Sequence, residues 1–329
     1  MKFPTKYKCL DINNFNLNNY SISPIRYEDR KCIMKWRNEQ LFHLRQKEKL
    51  TSKIQDSYFK ETILNSYHKK NPKQILFSYL DDGELIGYGG LVHIDWINLN
   101  AEISFIMNTS LEKNYFNIHW SNFLKLLEMP AFGVLGFNKI YTYAFDLRSH
   151  LYDCLESNNY ILEARLKKHF RFENNFIDVV IHSKISPFSL RCANKNDCST
   201  LFKWVNEKSV RKNSLNSKEI SLTEHKDWYK RKMRDPNVKI YILTYNDIDV
   251  AQIRFENIND EQLIDFSVDS KYRGQGLGTI IMSLGMRILN SKNYIGYVKN
   301  NNISSAKVFK SIGFKIISEE NNVIKFFKN

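Results

Sequence analysis

The sequence predicts an α+β protein made of two tandem units, each a mixed, mostly antiparallel twisted sheet flanked by helices. Three observations lead there. The chain has 329 residues, more than the roughly 100–200 that one domain usually takes. Runs of β-branched and aromatic residues alternate with apolar residues at helical spacing. A set of short phrases also recurs in the same order in both halves, which is the mark of an internal repeat.

The repeat sets the order of elements. Ile22-Ser23-Pro24 returns as Ile185-Ser186-Pro187, each followed by an arginine (Arg26, Arg191) and an aspartate (Asp29, Asp197). Lys35-Trp36-Arg37-Asn38-Glu39 returns as Lys203-Trp204-Val205-Asn206-Glu207, and Tyr58-Phe59 as Trp228-Tyr229. The strand-like stretch from Glu84 to Leu91 answers Asp249 to Phe255, and Ile103 to Asn108 answers Ile264 to Asp269. Leu155-Glu156-Ser157-Asn158-Asn159-Tyr160 answers Phe309-Lys310-Ser311-Ile312-Gly313-Phe314. The halves therefore divide as residues 1–185 and 186–329. In each, the expected order is strand, two helices, three strands, helix, strand, helix, strand. A typical strand is Lys239-Ile240-Tyr241-Ile242-Leu243-Thr244, closed by the turn formers Asn246 and Asp247. A typical helix carries Ile280, Ile281, Leu284 and Ile288 on its apolar face.

Composition narrows the function. With 43% hydrophobic and 26% charged residues the chain is globular, and 49 Lys and Arg against 35 Asp and Glu leave a formal charge of +14. Abundant Asn, Lys, Ile, Tyr and Phe with only 12 Gly and 6 Pro fit an AT-rich coding sequence, which accounts for part of that charge. The lysines occur as singles and pairs and build no basic arm, so nucleic acid is not expected as the principal partner. Five cysteines with no paired spacing argue against disulfide and zinc frameworks, and no metal site is expected. The N-terminus has no apolar leader core and no stretch of 18 apolar residues occurs, so a cytoplasmic protein without a membrane partner is expected. The oligomeric state is left open, a pseudo-dimeric monomer being compatible with the duplication.

The most specific motif is Val268-Asp269-Ser270-Lys271-Tyr272-Arg273-Gly274-Gln275-Gly276-Leu277-Gly278, between a strand and an amphipathic helix. Glycines let a ligand approach the backbone, and a helix N-terminus with Arg273 beside it attracts phosphate. The spacing fits neither a dinucleotide fingerprint nor a P-loop. Arg273-x-x-Gly276-x-Gly278 resembles the acyl-CoA pyrophosphate motif of the GNAT superfamily of N-acyltransferases. Asn302-x-x-Ser305 followed by Phe309 to Phe314 resembles a second segment of that family, in which an Asn reaches the pantetheine arm. The resemblance implies acyl-CoA as co-substrate, with no permanent cofactor, and Phe266, Val268, Arg273, Gly274, Gly276, Gly278, Asn302 and Ser305 as the residues that hold it. Phe309 stands where many members carry a Tyr that protonates the leaving thiol. More narrowly, Trp204-x-Asn206 to Arg211 and Ile220-Ser221 to Trp228 resemble acetyltransferases of nucleotide-linked 4-amino sugars in the pseudaminic acid pathway. That resemblance implies Asn206, Arg211 and His225 as substrate-binding residues.

The first half has lost the loop. Leu111-Glu112-Lys113-Asn114-Tyr115-Phe116-Asn117 stands in its place, with Glu112 where the second half has Arg273 and side chains where it has glycines. This half is therefore not expected to bind CoA. It has instead a hairpin from Leu91 to Phe105. A turn over residues 97–100 would set Asp95 opposite Glu102 and His93 opposite Ser104. Alternation then puts His93, Asp95, Glu102 and Ser104 on one polar face. Opposed carboxylates raise one pKa and attract an amine, so Asp95 first, then Glu102 or His93, is expected as the base, with Ser104 binding substrate. Tandem halves with one CoA loop resemble the N-acyltransferases of the anthrose pathway. The resemblance implies that the first half holds a nucleotide sugar such as dTDP-4-amino-4,6-dideoxyglucose and that the acyl donor is a 3-hydroxyacyl-CoA. One alternative gives both substrates to the second half. Others are a UDP-amino-sugar or ribosomal-protein N-acetyltransferase, and a non-catalytic nucleotide- or RNA-binding module.

Overall fold

The computed structural model describes residues 3–329. The chain divides into two compact units, Met1–Ser186 and Pro187–Asn329. In chain order the first contains β1 (Phe15–Leu17), β2 (Tyr20–Pro24), α1 (Arg30–Glu39), α2 (Ser52–Tyr58), α3 (Leu64–His68), β3 (Ile75–Asp81), β4 (Glu84–Asp95), β5 (Asn100–Met107), α4 (Thr109–Glu128), β6 (Lys139–Phe145), α5 (Ser149–Ser157), β7 (Ile161–Phe172) and β8 (Asn175–Ile185). The second contains β9 (Phe188–Cys192), α6 (Cys198–Val205), α7 (Lys208–Asn213), α8 (Leu222–Lys232), β10 (Val238–Tyr245), β11 (Ile248–Ile258), β12 (Glu261–Val268), α9 (Leu277–Leu289), β13 (Tyr294–Lys299), α10 (Ile303–Ser311), β14 (Lys315–Glu320) and β15 (Val323–Lys328). The sheets run β1-β2-β3-β4-β5-β6-β8-β7 and β14-β15-β13-β12-β11-β10-β9. Each is antiparallel but for one parallel pair, β5–β6 or β12–β13, whose connection crosses over through a helix.

That parallel pair is short in both units. β5 and β6 stay together only from Asn100↔Lys139 to Glu102↔Tyr141, and β12 and β13 only at Gln262↔Tyr294 and Leu263↔Ile295. Beyond those pairs the strands part. Asn108 donates to the Ile86 carbonyl at 2.8 Å and Asp269 to the Val250 carbonyl at 2.9 Å. Backbone direction alternates along a strand, so beyond the last pairs the amides of Phe105 and Met107, and of Phe266 and Val268, face the gap.

The duplication is visible bond by bond. Arg26 donates twice to Asp29 (2.7 and 2.8 Å), as Arg191 does to Asp197 (both 2.8 Å). The Asn38 amide brackets Leu50, giving 2.8 Å to its carbonyl and accepting 2.7 Å from its N–H; Asn206 brackets Ile220 in the same way at 2.8 and 3.0 Å. Thr109 donates to Glu39 at 2.6 Å, and Ser270 to Glu207 at 3.2 Å.

The element order departs from expectation at the ends. A hairpin, β7–β8 or β14–β15, stands where one final strand was expected, β1 precedes the first repeat strand, and α7 is an extra helix. The Asn321-Asn322 turn explains the second hairpin, since both residues hold positive φ (50° and 62°), as a type I′ turn needs. Asn246-Asp247 (47° and 62°) and Asn259-Asp260 (49° and 65°) do the same work in this glycine-poor chain.

Candidate functional site: a loop and splayed strand in the second unit, an arginine cavity in the first

In the second unit β12 ends in a single 3-10 turn, Ser270–Tyr272, capped by the Asp269 carboxylate accepting from the Lys271 N–H at 2.9 Å. Gly274 (φ 80°) and Gly276 (φ 78°) then turn the chain through the left-handed region, and α9 starts at Leu277. A Cβ on Gly274 or Gly276 would meet nothing within 4 Å, so these two are glycines for their backbone angles. Gly278 is one for space: a Cβ there would come 3.2 Å from the Phe266 ring and 3.3 Å from Val308. Among the described residues nothing accepts from the amides of Gly276, Leu277 and Gly278, which head α9 with its positive dipole end.

The loop opens onto a cleft of about 1160 Å³ that follows the gap beside β12 and includes Val268, Asn302, Ser305 and Phe309. Asn302 caps α10, accepting from the Ser305 N–H at 3.2 Å, so its side-chain nitrogen is the group left for the cleft. Phe309 stacks on Phe326 with centroids 5.0 Å apart and lies under Gly296, where a Cβ would meet its ring at 2.3 Å. This ring is part of the core. Arg273 lines the cleft with its guanidinium already engaged: it pairs with Glu207 at 2.6 Å and bonds Ser209 Oγ at 2.7 Å and the Val268 carbonyl at 3.0 Å. The positive charge expected at the loop is thus shared with a carboxylate the sequence reading passed over, although Glu39 and Glu207 occupy matching places in the repeat.

Of the three residues expected to bind substrate in this unit, Arg211 and His225 line the cleft, but all three already have hydrogen-bond partners within the fold. Asn206 spends its amide on Ile220. The Arg211 guanidinium gathers the carbonyls of Val205, Asn216 and Lys218 at 2.6 to 3.2 Å. His225 is 2% exposed and bonds the Cys198 carbonyl at 3.1 Å, its pKa lowered by burial. Sequence reasoning missed other groups that line the cleft: Asp265, with Gln252 Nε2 at 3.3 Å and Arg254 at 4.0 Å, and Ser267 beside them. Arg254 Nε is buried without a hydrogen bond among the described residues, pairs with Glu256 at 3.9 Å, and its guanidinium lies 5.2 Å from the Trp228 ring centre. The alternation of Asp265 and Ser267 on β12 was the available signal.

In the first unit no loop forms. Without glycines to break it, α4 begins at Thr109, directly after its Asn108 cap, and Glu112 pairs with Arg148 at 3.2 Å. The expected hairpin register is also corrected. Asp95 lies opposite Asn100, Glu102 opposite Val92 and Ser104 opposite Gly90, with a bulge between Val92 and Asp95. His93 takes up the extra residue at φ 48°. The facing carboxylates therefore do not exist. Asp95 accepts from the amides of Ile97 and Asn98 at 2.9 Å and from the Asn98 side chain at 2.8 Å, and the bonds from Asn98 lower its pKa. It caps the turn and is no candidate base. The bulge instead brings His93 Nδ1 to 2.9 Å from Glu102, whose carboxylate also accepts from Arg45 at 2.8 and 2.9 Å. His93, Glu102 and Ser104 line a cavity of about 670 Å³ that Asp95 does not reach.

Among the described residues no cluster of His, Cys, Asp and Glu could hold a metal, and no helix is long and apolar enough to cross a membrane. The five cysteines are free thiols.

Residues 22–181 match one model of the acetyltransferase (GNAT) domain and residues 236–316 match another. No curated protein is significantly similar to the chain. Similar solved structures include a domain from Methanocaldococcus jannaschii DSM 2661 (22% identity, TM-score 0.39, covering 43% of this chain and 97% of that one). Another is the spermidine N-acetyltransferase of Vibrio cholerae in complex with CoA and spermine (15%, 0.39, 43% and 94%). A third is RimL, a ribosomal L7/L12 alpha-N-protein acetyltransferase in complex with coenzyme A (14%, 0.45, 52% and 96%). The two domain matches lie one in each unit, and with the loop and the paired splayed strands they identify the chain as a tandem of two GNAT domains, an acyl-CoA-dependent N-acyltransferase.

Proposed function

We propose that acyl-CoA binds in the second unit and that the acyl group passes there to the amine of a nucleotide-linked amino sugar. One observation carries the reading: unspent amides at the head of α9 and unpaired amides along β12 open into one cleft, and the first unit has a helix where that loop would be. The pyrophosphate fits the Gly274–Gly278 loop, and the pantetheine arm fits the gap beside Phe266 and Val268, within reach of Asn302. The acceptor fits the polar face of β12 that carries Asp265 and Ser267. There Asp265 would orient the amine, the guanidinium of Arg254 beside it would meet a phosphate or hydroxyl oxygen, and Trp228 would offer a flat face for a ring. This returns both substrates to the second unit, through residues other than Asn206, Arg211 and His225.

In the reaction the neutral amine attacks the thioester carbonyl, a C–N bond forms and the C–S bond breaks. The Val268 or Phe266 amide would meet the oxyanion. The ammonium proton passes to Asp265, directly or through water. A thiol of pKa about 8.5 leaves as thiolate and takes a proton from water, so the reaction does not need an acid at Phe309. Holding amine and thioester together is the larger contribution, since effective molarities reach about 10⁵ M or more. The test is thiol release from acetyl-CoA and 3-hydroxyacyl-CoA with a panel of nucleotide-linked amino sugars, polyamines and peptides. Release that depends on an amino sugar is expected. Release with polyamines or peptides alone would overturn the acceptor class.

A further inference from the structure

We propose that the cavity of the first unit is a binding site for a small organic anion, a carboxylate or phosphate on an apolar or aromatic body. Its volume of about 670 Å³ lies within the range of small-molecule sites. Four cationic side chains line it, Arg37, Arg45, Lys73 and Arg148, against one carboxylate, Glu102. Glu102 is committed to Arg45 and His93, and Arg148 to Glu112 outside the cavity. Arg37 is different. It is half-buried and held by neutral acceptors only, with Nη1 donating to the Tyr88 hydroxyl at 2.7 Å and Nε to Gln46 Oε1 at 2.8 Å. No carboxylate of the described residues lies within ion-pairing distance of it.

A guanidinium withdrawn from water without a counter-ion is costly, and here it is aimed and anchored as well. The fold does not require it, since the matching position of the repeat is Val205 and the second unit forms the same helix and strands around that valine. His43 reports the same excess of positive charge: burial, then Arg148 and Arg37, push its pKa down to about 3, so the ring is neutral and adds no charge of its own. Apolar walls from Ile33, Ile54 and Leu50 surround the charged floor. Arginine's planar fork suits a carboxylate or phosphate, and the walls suit a ring or short chain behind it. Because unit 1 lacks the glycine loop, this site is distinct from a CoA pyrophosphate site and stands or falls separately from the acyl-transfer reading.

The experiment is calorimetric titration of the full chain with benzoate, phenyl phosphate, inorganic phosphate and the neutral benzyl alcohol, with CoA titrated in parallel. At least one of the two aromatic anions is expected to bind tenfold or more tighter than benzyl alcohol, the tighter of them naming the oxyanion. Inorganic phosphate is expected to be weaker for want of the apolar body. Arg37→Met is expected to lose the anion tenfold or more with CoA affinity unchanged, and Arg37→Lys to lose less. If Arg37→Met does not fold, Tyr88→Phe, which frees the guanidinium from its anchor, is expected to weaken the anion severalfold. No anion bound by the wild type, equal binding of benzyl alcohol, or full anion affinity in the folded variants would overturn the proposal.

Discussion

Met107 and Val268 close equivalent strands, and both carbonyls face the gap left by a departing neighbour, yet different groups meet them. The Gln40 side chain donates to Met107 at 2.9 Å, and Arg273, from the loop itself, donates to Val268 at 3.0 Å. One residue later both units use the same cap, Asn108 or Asp269 accepting from the amide two positions on. The paths then divide. Thr109 starts a helix of 20 residues, whereas Ser270 makes one short turn and hands over to Gly274 and Gly276 before a helix of 13. Duplication preserved the brackets and ion pairs that hold each unit together. The stretch that differs is the one that leaves amides without acceptors at the head of α9. A scaffold and its site are thus separable here at the level of single residues.

The most severe way to break this comparison is to give the second unit the first unit's backbone preference. Gly276→Val puts a β-branched residue at φ 78°, which costs about 1–2 kcal/mol or more. CoA affinity measured by calorimetry is expected to fall about tenfold or more. The reciprocal change in the first unit, Glu112→Gln, removes the acid without restoring the glycines and is expected to create no CoA binding. Next in size is Asp265→Asn, expected to lower kcat about 100-fold, the low end of what a positioned base contributes, with CoA affinity retained. Asp95→Asn is expected to leave kcat unchanged, which separates the cleft carboxylate from the turn carboxylate.

Smaller effects test what the units share. Asn38→Ala and Asn206→Ala each remove two hydrogen bonds to one backbone residue and are expected to destabilise their own unit by about 1–3 kcal/mol in denaturant titrations. Neither is expected to change KM. A drop in acceptor affinity confined to Asn206→Ala would restore that residue to the site. The smallest effect concerns Asp197, whose pKa is lowered chiefly by hydrogen bonds from Arg191. A carboxyl depressed in the folded state adds stability above its unfolded pKa of about 3.9 and loses it as pH falls through the folded value. The second unit is therefore expected to lose stability below about pH 4, and Asp197→Asn to flatten that acid limb in melting curves.

The repeat, the order of the central elements and the glycine loop were legible because each is written in local sequence: a phrase copied twice, a hydrophobic period, a residue type needed for a backbone angle. The partners of long side chains were not legible. Asn206, Arg211 and His225 resemble a recognition set in sequence but meet backbone carbonyls brought in from 5 to 27 residues away. The hairpin misled for a different reason. One bulge at His93 changes which residues face each other, so strict alternation aligned Asp95 with Glu102 when the turn claims Asp95. Asp265 was overlooked because its alternation with Ser267 marks a polar face of β12 but does not announce that the neighbouring strand parts from it and opens a cleft there.

Calorimetric counting of CoA sites tests the central claim most directly. One CoA per chain is expected for the wild type and none detectable, at the same concentrations, for Gly276→Val combined with Arg273→Glu. Two CoA per chain, or one site that survives the double variant, would contradict it, because the first unit would then bind CoA without the glycine loop.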